Sequence, residues 1–210
     1  LEFNIYAANT DGSGQTKLTA GAGKNWDPDW SPDGTKIAFA SNRQGGNLKL
    51  YIMNANGSGQ TSLNVDGSKP IWSPDGSRIA FSGGIYVFNP DGTVQVIPVN
   101  LGNTWGSPVW SPDGSKVAFS LDTDGDYEIY TVTADGSVTT KLTDNTAEDY
   151  SPSWSPDGTK IAFVTKRTGD YEIYVMNASG SSQINLTNNL NNDLTASWSQ
   201  FLNLSPYGVQ

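Results

Sequence analysis

An acidic run in the middle of the sequence has the residue types of a cation-binding loop. Its carboxylates stand at alternate positions: Asp122, Asp124, Asp126 and Glu128. Oxygen ligands at this spacing can wrap a hard cation such as calcium, although the sixth-position glycine and twelfth-position glutamate of an EF-hand loop do not follow. The equivalent segments 41–49 and 165–172 lack the set. The run predicts either a calcium site that is specific to this repeat or a solvated acidic turn. No other cofactor is expected.

A second set of residues combines flat aromatic rings with carboxylates. Five of the seven tryptophans belong to a repeated motif, whereas Trp26 and Trp105 lie in variable segments shortly before it. Tyr150 stands at the same offset as Trp26 from the next repeated tryptophan. The nearby carboxylates are Asp66, Glu148, Asp149 and Asp193. This combination suits a sugar ring or a basic peptide; the alternative is that Trp26 and Trp105 cap the core between repeats.

The absent residue types restrict catalysis. The sequence contains no histidine and no cysteine, which removes imidazole-based triads, thiolate sites and the commonest ligands of zinc and iron. Asp149 and Asp193 could still serve as the paired carboxylates of a glycosidase. Because most enzyme classes lose their usual groups, we expect a binding module rather than an enzyme.

The charge and hydropathy of the chain also exclude partners. Lysine and arginine number 12 against 21 aspartates and glutamates, giving a net charge of −9 that repels nucleic acid and anionic lipid. No run of about 18 apolar residues exists for a membrane span. The 23 glycines favour short strands and tight turns over helices.

An internal repeat predicts the secondary structure that carries these residues. The motif W-S-P-D-G-[TS]-[KR]-[IV]-A-F begins at Trp30, Trp72, Trp110 and Trp154, with a degenerate copy at Trp198. The intervals of 42, 38, 44 and 44 residues each fit four short strands with their turns. The repeat predicts an all-β fold: a five-bladed β-propeller of four-stranded antiparallel blades, forming one domain over residues 1–210.

The ends of the chain are predicted to complete one blade together. Residues 3–9 resemble a third strand, whereas residues 195–199 and 200–204 resemble a first and a second strand. Pairing between them would close the ring and remove exposed sheet edges. A fragment of a larger propeller is the alternative.

One unit shows how the strands and loops divide. We name its strands A to D: A contains Trp154, B covers 161–164, C covers 171–177 and D covers 183–187. The Ser-Pro-Asp-Gly turn joins A to B, so Asp33, Asp75, Asp113 and Asp157 are interpreted as turn residues. Tyr127 and Tyr171 align with Phe3 and Leu48 at an apolar position and are interpreted as packing residues.

Two faces follow from this order. The A–B and C–D turns emerge on one face and are nearly identical between repeats, whereas the B–C and D–A loops emerge on the other face and vary. The D–A loops comprise residues 20–27, 64–69, 98–107, 144–151 and 188–195. Because variable loops on a rigid scaffold carry recognition, we expect the site on the second face and at the channel mouth.

The strings W-S-P-D-G-T-K-I-A-F and D-Y-E-I-Y-V-M-N-A-S-G resemble the repeat of the TolB propeller family over nearly the whole chain. The resemblance implies a docking surface in the periplasm or outside the cell, since TolB itself binds a peptidoglycan-associated lipoprotein. TolB resembles a six-bladed ring with an added N-terminal domain, so its partner does not carry over. No charged and then apolar leader opens the sequence at Leu1, so an export signal is expected to lie outside it.

These observations predict a monomeric, non-catalytic module that binds a protein or peptide through the second face. A lectin-like propeller that binds a glycan is the alternative, and a glycosidase is the third hypothesis. The close similarity of the repeats also fits an engineered or recently amplified array. Function transfers poorly with fold, so the partner must be argued from the site.

Overall fold

A computed structural model describes residues 3–21, 23–82, 84–88, 94–97 and 107–198. These residues form 18 strands in five sheets, and no helix occurs among them. The strands are β1 (Tyr6–Ala7), β2 (Thr16–Lys17), β3 (Asn25–Trp30), β4 (Lys36–Ser41), β5 (Lys49–Asn54), β6 (Thr61–Asp66), β7 (Ile71–Trp72), β8 (Arg78–Phe81), β9 (Gly84–Phe88), β10 (Val94–Ile97), β11 (Val109–Trp110), β12 (Lys116–Asp122), β13 (Tyr127–Thr133), β14 (Thr139–Lys141), β15 (Asp149–Trp154), β16 (Lys160–Thr165), β17 (Glu172–Asn177) and β18 (Ile184–Asn185).

The strands group as the repeat predicts. A two-stranded sheet of β1 and β2 precedes four antiparallel sheets of four strands, β3–β6, β7–β10, β11–β14 and β15–β18. Within each four-stranded sheet every strand pairs with its neighbour in the sequence. The four strands of each sheet are the predicted strands A to D, so the all-β fold and its four-stranded antiparallel blades are confirmed.

The core lies between neighbouring sheets. The second strand of each four-stranded sheet carries a fully buried phenylalanine: Phe39, Phe81, Phe119 and Phe163. Phe163 packs with Ile161 and with Ile129 of the preceding sheet, and its ring lies 6.0 Å from that of Tyr174 in strand C. Apolar residues on both faces of strand B therefore hold adjacent blades together by hydrophobic burial.

The Ser-Pro-Asp-Gly turn is built from local hydrogen bonds. The Ser155 hydroxyl donates to Asp157 at 2.6 Å, and the Thr159 backbone N–H donates to the same carboxylate at 3.0 Å. These bonds hold the pKa of Asp157 below its usual value. Gly158 has φ +68°, a conformation that favours glycine. Asp157 is thus a turn residue, as predicted.

Two of the repeated tryptophans form hydrogen bonds to the blade that precedes their own. The Trp110 indole donates to the Ile71 carbonyl at 3.0 Å, and the Trp198 indole donates to the Ser153 carbonyl at the same distance. Each acceptor directly precedes the tryptophan of the preceding blade. Trp198 therefore occupies an anchor position, which supports the fifth repeat.

Closure of the ring is not seen in the described residues. Residues 195–198 form no strand there, and the predicted partner strand over 200–204 lies outside the described residues. Trp30, which the pattern would pack onto the closing blade, is 49% exposed. Closure of the ring therefore stays a prediction.

Candidate functional site

The two predicted faces differ in how their loops are held. The turn face carries the A–B and C–D turns, and the variable-loop face carries the B–C and D–A loops. On the variable-loop face, the D–A loop between β14 and β15 surrounds a buried glutamate, Glu128, whose side chain organises it. Three of the predicted site residues lie where this loop meets β15: Glu148 is the last loop residue, and Asp149 and Tyr150 begin the strand.

A hydrogen-bond network, which we call the loop staple, fixes that loop. The buried Glu128 carboxylate accepts from the Thr143 hydroxyl and, at 2.6 Å, from the Asn145 backbone N–H. The Asn145 amide donates to Asp149 at 2.7 Å, and the Arg167 guanidinium pairs with Asp149 at 2.8 Å. Glu128 and Asp149 are both fully buried. Both carboxylates therefore hold the loop in place.

The same staple recurs one repeat later. The Thr187 hydroxyl and the Asn189 backbone N–H, the latter at 2.9 Å, donate to Glu172. The Asn189 amide then donates to Asp193 at 2.6 Å. Each of the two aspartates proposed as a glycosidase pair is thus bonded within its own loop, and the predicted catalytic pairing of Asp149 with Asp193 gains no support.

The acidic run divides between different contacts. Glu128 belongs to the loop staple, Asp122 accepts from the Gly125 backbone N–H at 2.8 Å, and Asp124 lies 3.5 Å from the Lys141 ammonium. Desolvation and the Asp124 carboxylate raise the pKa of Asp126. Among the described residues no three carboxylates converge on a point where a metal could sit. Calcium binding by this run stays a prediction.

Glu128 should make stability depend on pH. Burial raises its pKa to about 7, outweighing the Thr143 and Asn145 hydrogen bonds that favour the ionised form. A carboxyl pKa raised on folding penalises the native state fully above about pH 7 and hardly below about pH 4.5, so stability is lost as pH rises between these values. The wild type should gain up to about 3 kcal/mol from this group between pH 8 and pH 4.5.

Urea unfolding at several pH values checks this expectation, with Glu128→Gln as the comparison. The glutamine cannot ionise, so the difference in unfolding free energy between variant and wild type should change across pH 4.5–7. A difference that stays constant across that range would show that Glu128 does not titrate there.

Three tyrosines and one glutamate line a small cleft on the variable-loop face, which we call the tyrosine cleft. Its walls are Tyr127, Glu148, Tyr150 and Tyr171, and its volume is about 130 Å³. The rings of Tyr150 and Tyr171 meet edge to face with centroids 5.7 Å apart, and the Tyr171 hydroxyl donates to Glu148 at 3.4 Å. Burial raises the pKa of Tyr150, which keeps its phenol neutral. The cleft is therefore lined by aromatic rings, with one exposed carboxylate at Glu148.

The cleft lies between two blades. Tyr127 begins β13 in one sheet, Tyr150 is in β15 of the next, and Tyr171 directly precedes β17 of that second sheet. Tyr127 and Tyr171 are half-buried, so their interpretation as packing residues misses that each also forms a wall of the cleft. A sequence signal exists: both stand in Asp-Tyr-Glu-Ile-Tyr, directly before the buried staple glutamate.

The other predicted site residues lie elsewhere. Trp26 stacks on Phe3 with ring centroids 5.8 Å apart. Asp66, at the end of β6, pairs with Lys49 at 3.0 Å and accepts from Asn47 at 3.1 Å, contacts that lower its pKa. Trp105 lies outside the described residues. Within the described residues, Glu148, Asp149 and Tyr150 of the predicted set come together, and Asp193 donates its backbone N–H to the Tyr171 carbonyl at 2.7 Å.

A larger cleft of about 450 Å³ lies on the turn face. Pro112, Asp113, Trp154 and Asp157 are among its lining residues. A Cβ on Gly158 would lie 3.6 Å from Pro112, and the same glycine-to-proline approach recurs between the next blades at Gly114 and Pro74. A contact that repeats at each blade boundary is part of the scaffold, so we place the candidate site in the tyrosine cleft.

Four-stranded antiparallel sheets that follow one another along the chain and pack face to face define a β-propeller. The chain belongs to the family of the TolB β-propeller domain, whose family model matches residues 2–93 and 69–201. In the described residues, no helix has the length and apolarity needed to cross a membrane.

Individual relatives match shorter segments. The chain is 41% identical over 61 residues to the Tol-Pal system protein TolB of Geobacter sulfurreducens, covering 29% of this chain and 14% of that protein. It is 32% identical over 102 residues to the uncharacterized peptidase YuxL of Bacillus subtilis, covering 47% of this chain and 13% of that protein. Each match spans a small part of the relative's own length.

A solved structure matches over most of the chain. The putative TolB from Agrobacterium tumefaciens superimposes with a TM-score of 0.66 and 24% identity, covering 86% of this chain and 72% of that one. At this identity the similarity supports the fold alone.

Proposed function

We propose that this chain is a non-catalytic β-propeller domain, acting as a monomer, that docks a protein or peptide partner on its variable-loop face. The observation that carries the proposal is the tyrosine cleft, a concave site lined by Tyr127, Glu148, Tyr150 and Tyr171 and open to solvent between two blades. Tyrosine is enriched where proteins bind proteins because its ring buries a large area while its hydroxyl stays hydrated.

The scaffold supports docking over catalysis. The loop staple buries Glu128 and Asp149 within hydrogen bonds, so these carboxylates hold the rim of the cleft rigid. A preformed rim reduces the ordering that binding requires. The name of the Tol-Pal system protein TolB places that relative in a multi-protein system, which fits a docking role here. By the same family resemblance we place the chain in the periplasm or outside the cell.

A glycan is the second candidate ligand because tyrosine rings beside a carboxylate also suit a sugar. A phage-displayed peptide library and a glycan array, both probed with the pure domain, separate the two. The proposal expects peptides to be enriched and retained through the cleft. Tyr171→Ala should reduce retention of those peptides about thirtyfold, the loss expected for a central contact worth about 2 kcal/mol.

Leu48→Ala is the matched control. Leu48 stands at the equivalent position of another blade, before β5, where no tyrosine cleft forms. The Leu48→Ala substitution should therefore leave peptide retention within about twofold of the wild type. It truncates a side chain at the equivalent position before strand C without changing the cleft. Enrichment of glycans alone, or equal retention by Tyr171→Ala and wild type, would contradict the proposal.

A further inference from the structure

Two blade boundaries of this chain can be compared at three equivalent positions, and the residue at one of these positions differs in charge. Phe3, Lys24 and Trp26 stand at the first boundary, and Tyr127, Glu148 and Tyr150 stand 124 residues later in each case, at the tyrosine cleft. The aromatic positions keep an aromatic ring, whereas the charged position changes sign. The first boundary therefore shows how such a pair of rings behaves when a cation is present.

At the first boundary the chain supplies its own cation. The Lys24 ammonium lies 5.4 Å from the centroid of the Phe3 ring and 5.9 Å from that of the Trp26 ring. The two rings are stacked. This is the separation at which an ammonium is attracted by the negative faces of aromatic rings.

At the tyrosine cleft the charged position carries a carboxylate instead. Glu148 is exposed and forms no ion pair with any described residue; its carboxylate accepts from the Tyr171 hydroxyl at 3.4 Å. The Lys166 ammonium lies 5.1 Å from the Tyr171 ring centroid, so the Tyr171 wall of the cleft already holds a cation of the chain. An incoming ammonium would therefore meet the Tyr127 and Tyr150 rings and an opposite charge at the place where Lys24 stands in the first boundary.

We propose that the tyrosine cleft binds the ammonium of a lysine side chain on a basic peptide partner. Glu148 forms the ion pair, and the Tyr127 and Tyr150 rings contact the last methylenes and the charge. The volume of about 130 Å³ accommodates the end of an alkylammonium chain. The net charge of −9 steers such a partner towards the domain. This inference rests on the proposed peptide-docking function and names the chemistry of its ligand.

The test uses a synthetic pentalysine peptide and its fully Nε-acetylated counterpart, titrated into the domain at physiological salt. Acetylation removes the positive charge of each lysine while the peptide keeps its five residues. It should weaken binding at least about tenfold. Glu148→Lys should weaken pentalysine binding to a similar extent because it places a cation in the cleft as Lys24 does at the first boundary.

Asp135→Lys is the charge-matched control. Asp135 lies in the turn between β13 and β14 on the turn face, and this substitution changes the net charge of the domain by the same amount. It should alter pentalysine binding by no more than about twofold at physiological salt, since charges on the far face are screened. Equal weakening by Glu148→Lys and Asp135→Lys would overturn the inference, because general charge attraction would then explain binding.

The two proposals can fail separately. If Tyr171→Ala reduces the retention of displayed peptides but Glu148→Lys leaves pentalysine binding unchanged, peptide docking is supported and the lysine inference is contradicted. If no displayed peptide depends on Tyr171, the docking function falls as well. Thermal unfolding of each variant beside the wild type checks that a lost signal does not come from a lost fold.

Discussion

Replacing Arg167 with methionine should lower the free energy of unfolding by about 3 kcal/mol, because it removes the partly exposed cation that pairs with a fully buried carboxylate. The Arg167 guanidinium lies 2.8 Å from the fully buried Asp149 carboxylate. One Asp149 oxygen already has no hydrogen-bond partner. Without Arg167 the carboxylate would keep only the Asn145 amide, and its charge would be left buried without compensation.

The chain contains its own control for this experiment. Arg43 occupies the equivalent position in the sheet β3–β6, where it donates to Asn25 at 2.7 Å and lies 4.8 Å from the Tyr51 ring centroid. Arg167 likewise lies 4.8 Å from the Tyr174 ring centroid. The main difference between the two sites is that Asn25 is neutral where Asp149 is charged.

Arg43→Met should therefore cost only about 1–2 kcal/mol, the value of lost hydrogen bonds and ring contact. Urea unfolding measures both variants. The double variant Arg167→Met with Asp149→Asn should recover part of the loss, because the uncompensated charge is then gone. Equal losses in Arg43→Met and Arg167→Met would contradict a stabilising Arg167–Asp149 ion pair in the loop staple.

Phe163→Ala should lower the free energy of unfolding by about 3–5 kcal/mol, the range for truncating a buried phenylalanine. Phe163 has no exposed surface and packs against Ile129 of the preceding sheet as well as Tyr174 of its own. The cavity would therefore loosen two blades at once. Thermal and urea unfolding report the loss.

Val138→Ala is the comparison, since Val138 is 56% exposed in the turn face and should change stability by less than about 0.5 kcal/mol. A loss below about 1 kcal/mol in Phe163→Ala would contradict a core shared between neighbouring sheets.

Local chemistry explains why most of the fold could be predicted. The Ser-Pro-Asp-Gly turn is closed by bonds between residues two to five apart, such as Ser155 to Asp157 and Ser155 to Lys160. Signals of this range are visible in sequence. The strand order followed from the repeat length alone, whereas pairing between the chain ends depends on contacts that no local signal encodes.

The site was harder to predict because its bonds are long-range. Thr143 and Asn145 reach Glu128 across 15 and 17 residues, so the sequence alone did not show that the last member of the acidic run is a strand residue held in the loop staple. Tyr127 and Tyr171 share the period of core positions. They form cleft walls because they lie at strand ends, where one side of the ring stays open.

Hydrogen–deuterium exchange of the domain, saturated with a peptide enriched by the library, tests docking on the variable-loop face most directly. We predict slower amide exchange in residues 144–150 and 166–171, the loops that carry Glu148, Tyr150 and Tyr171, and unchanged exchange in the turns over 111–116 and 155–160. Protection of those turns with no change in the two loops would place the partner on the opposite face and contradict the account.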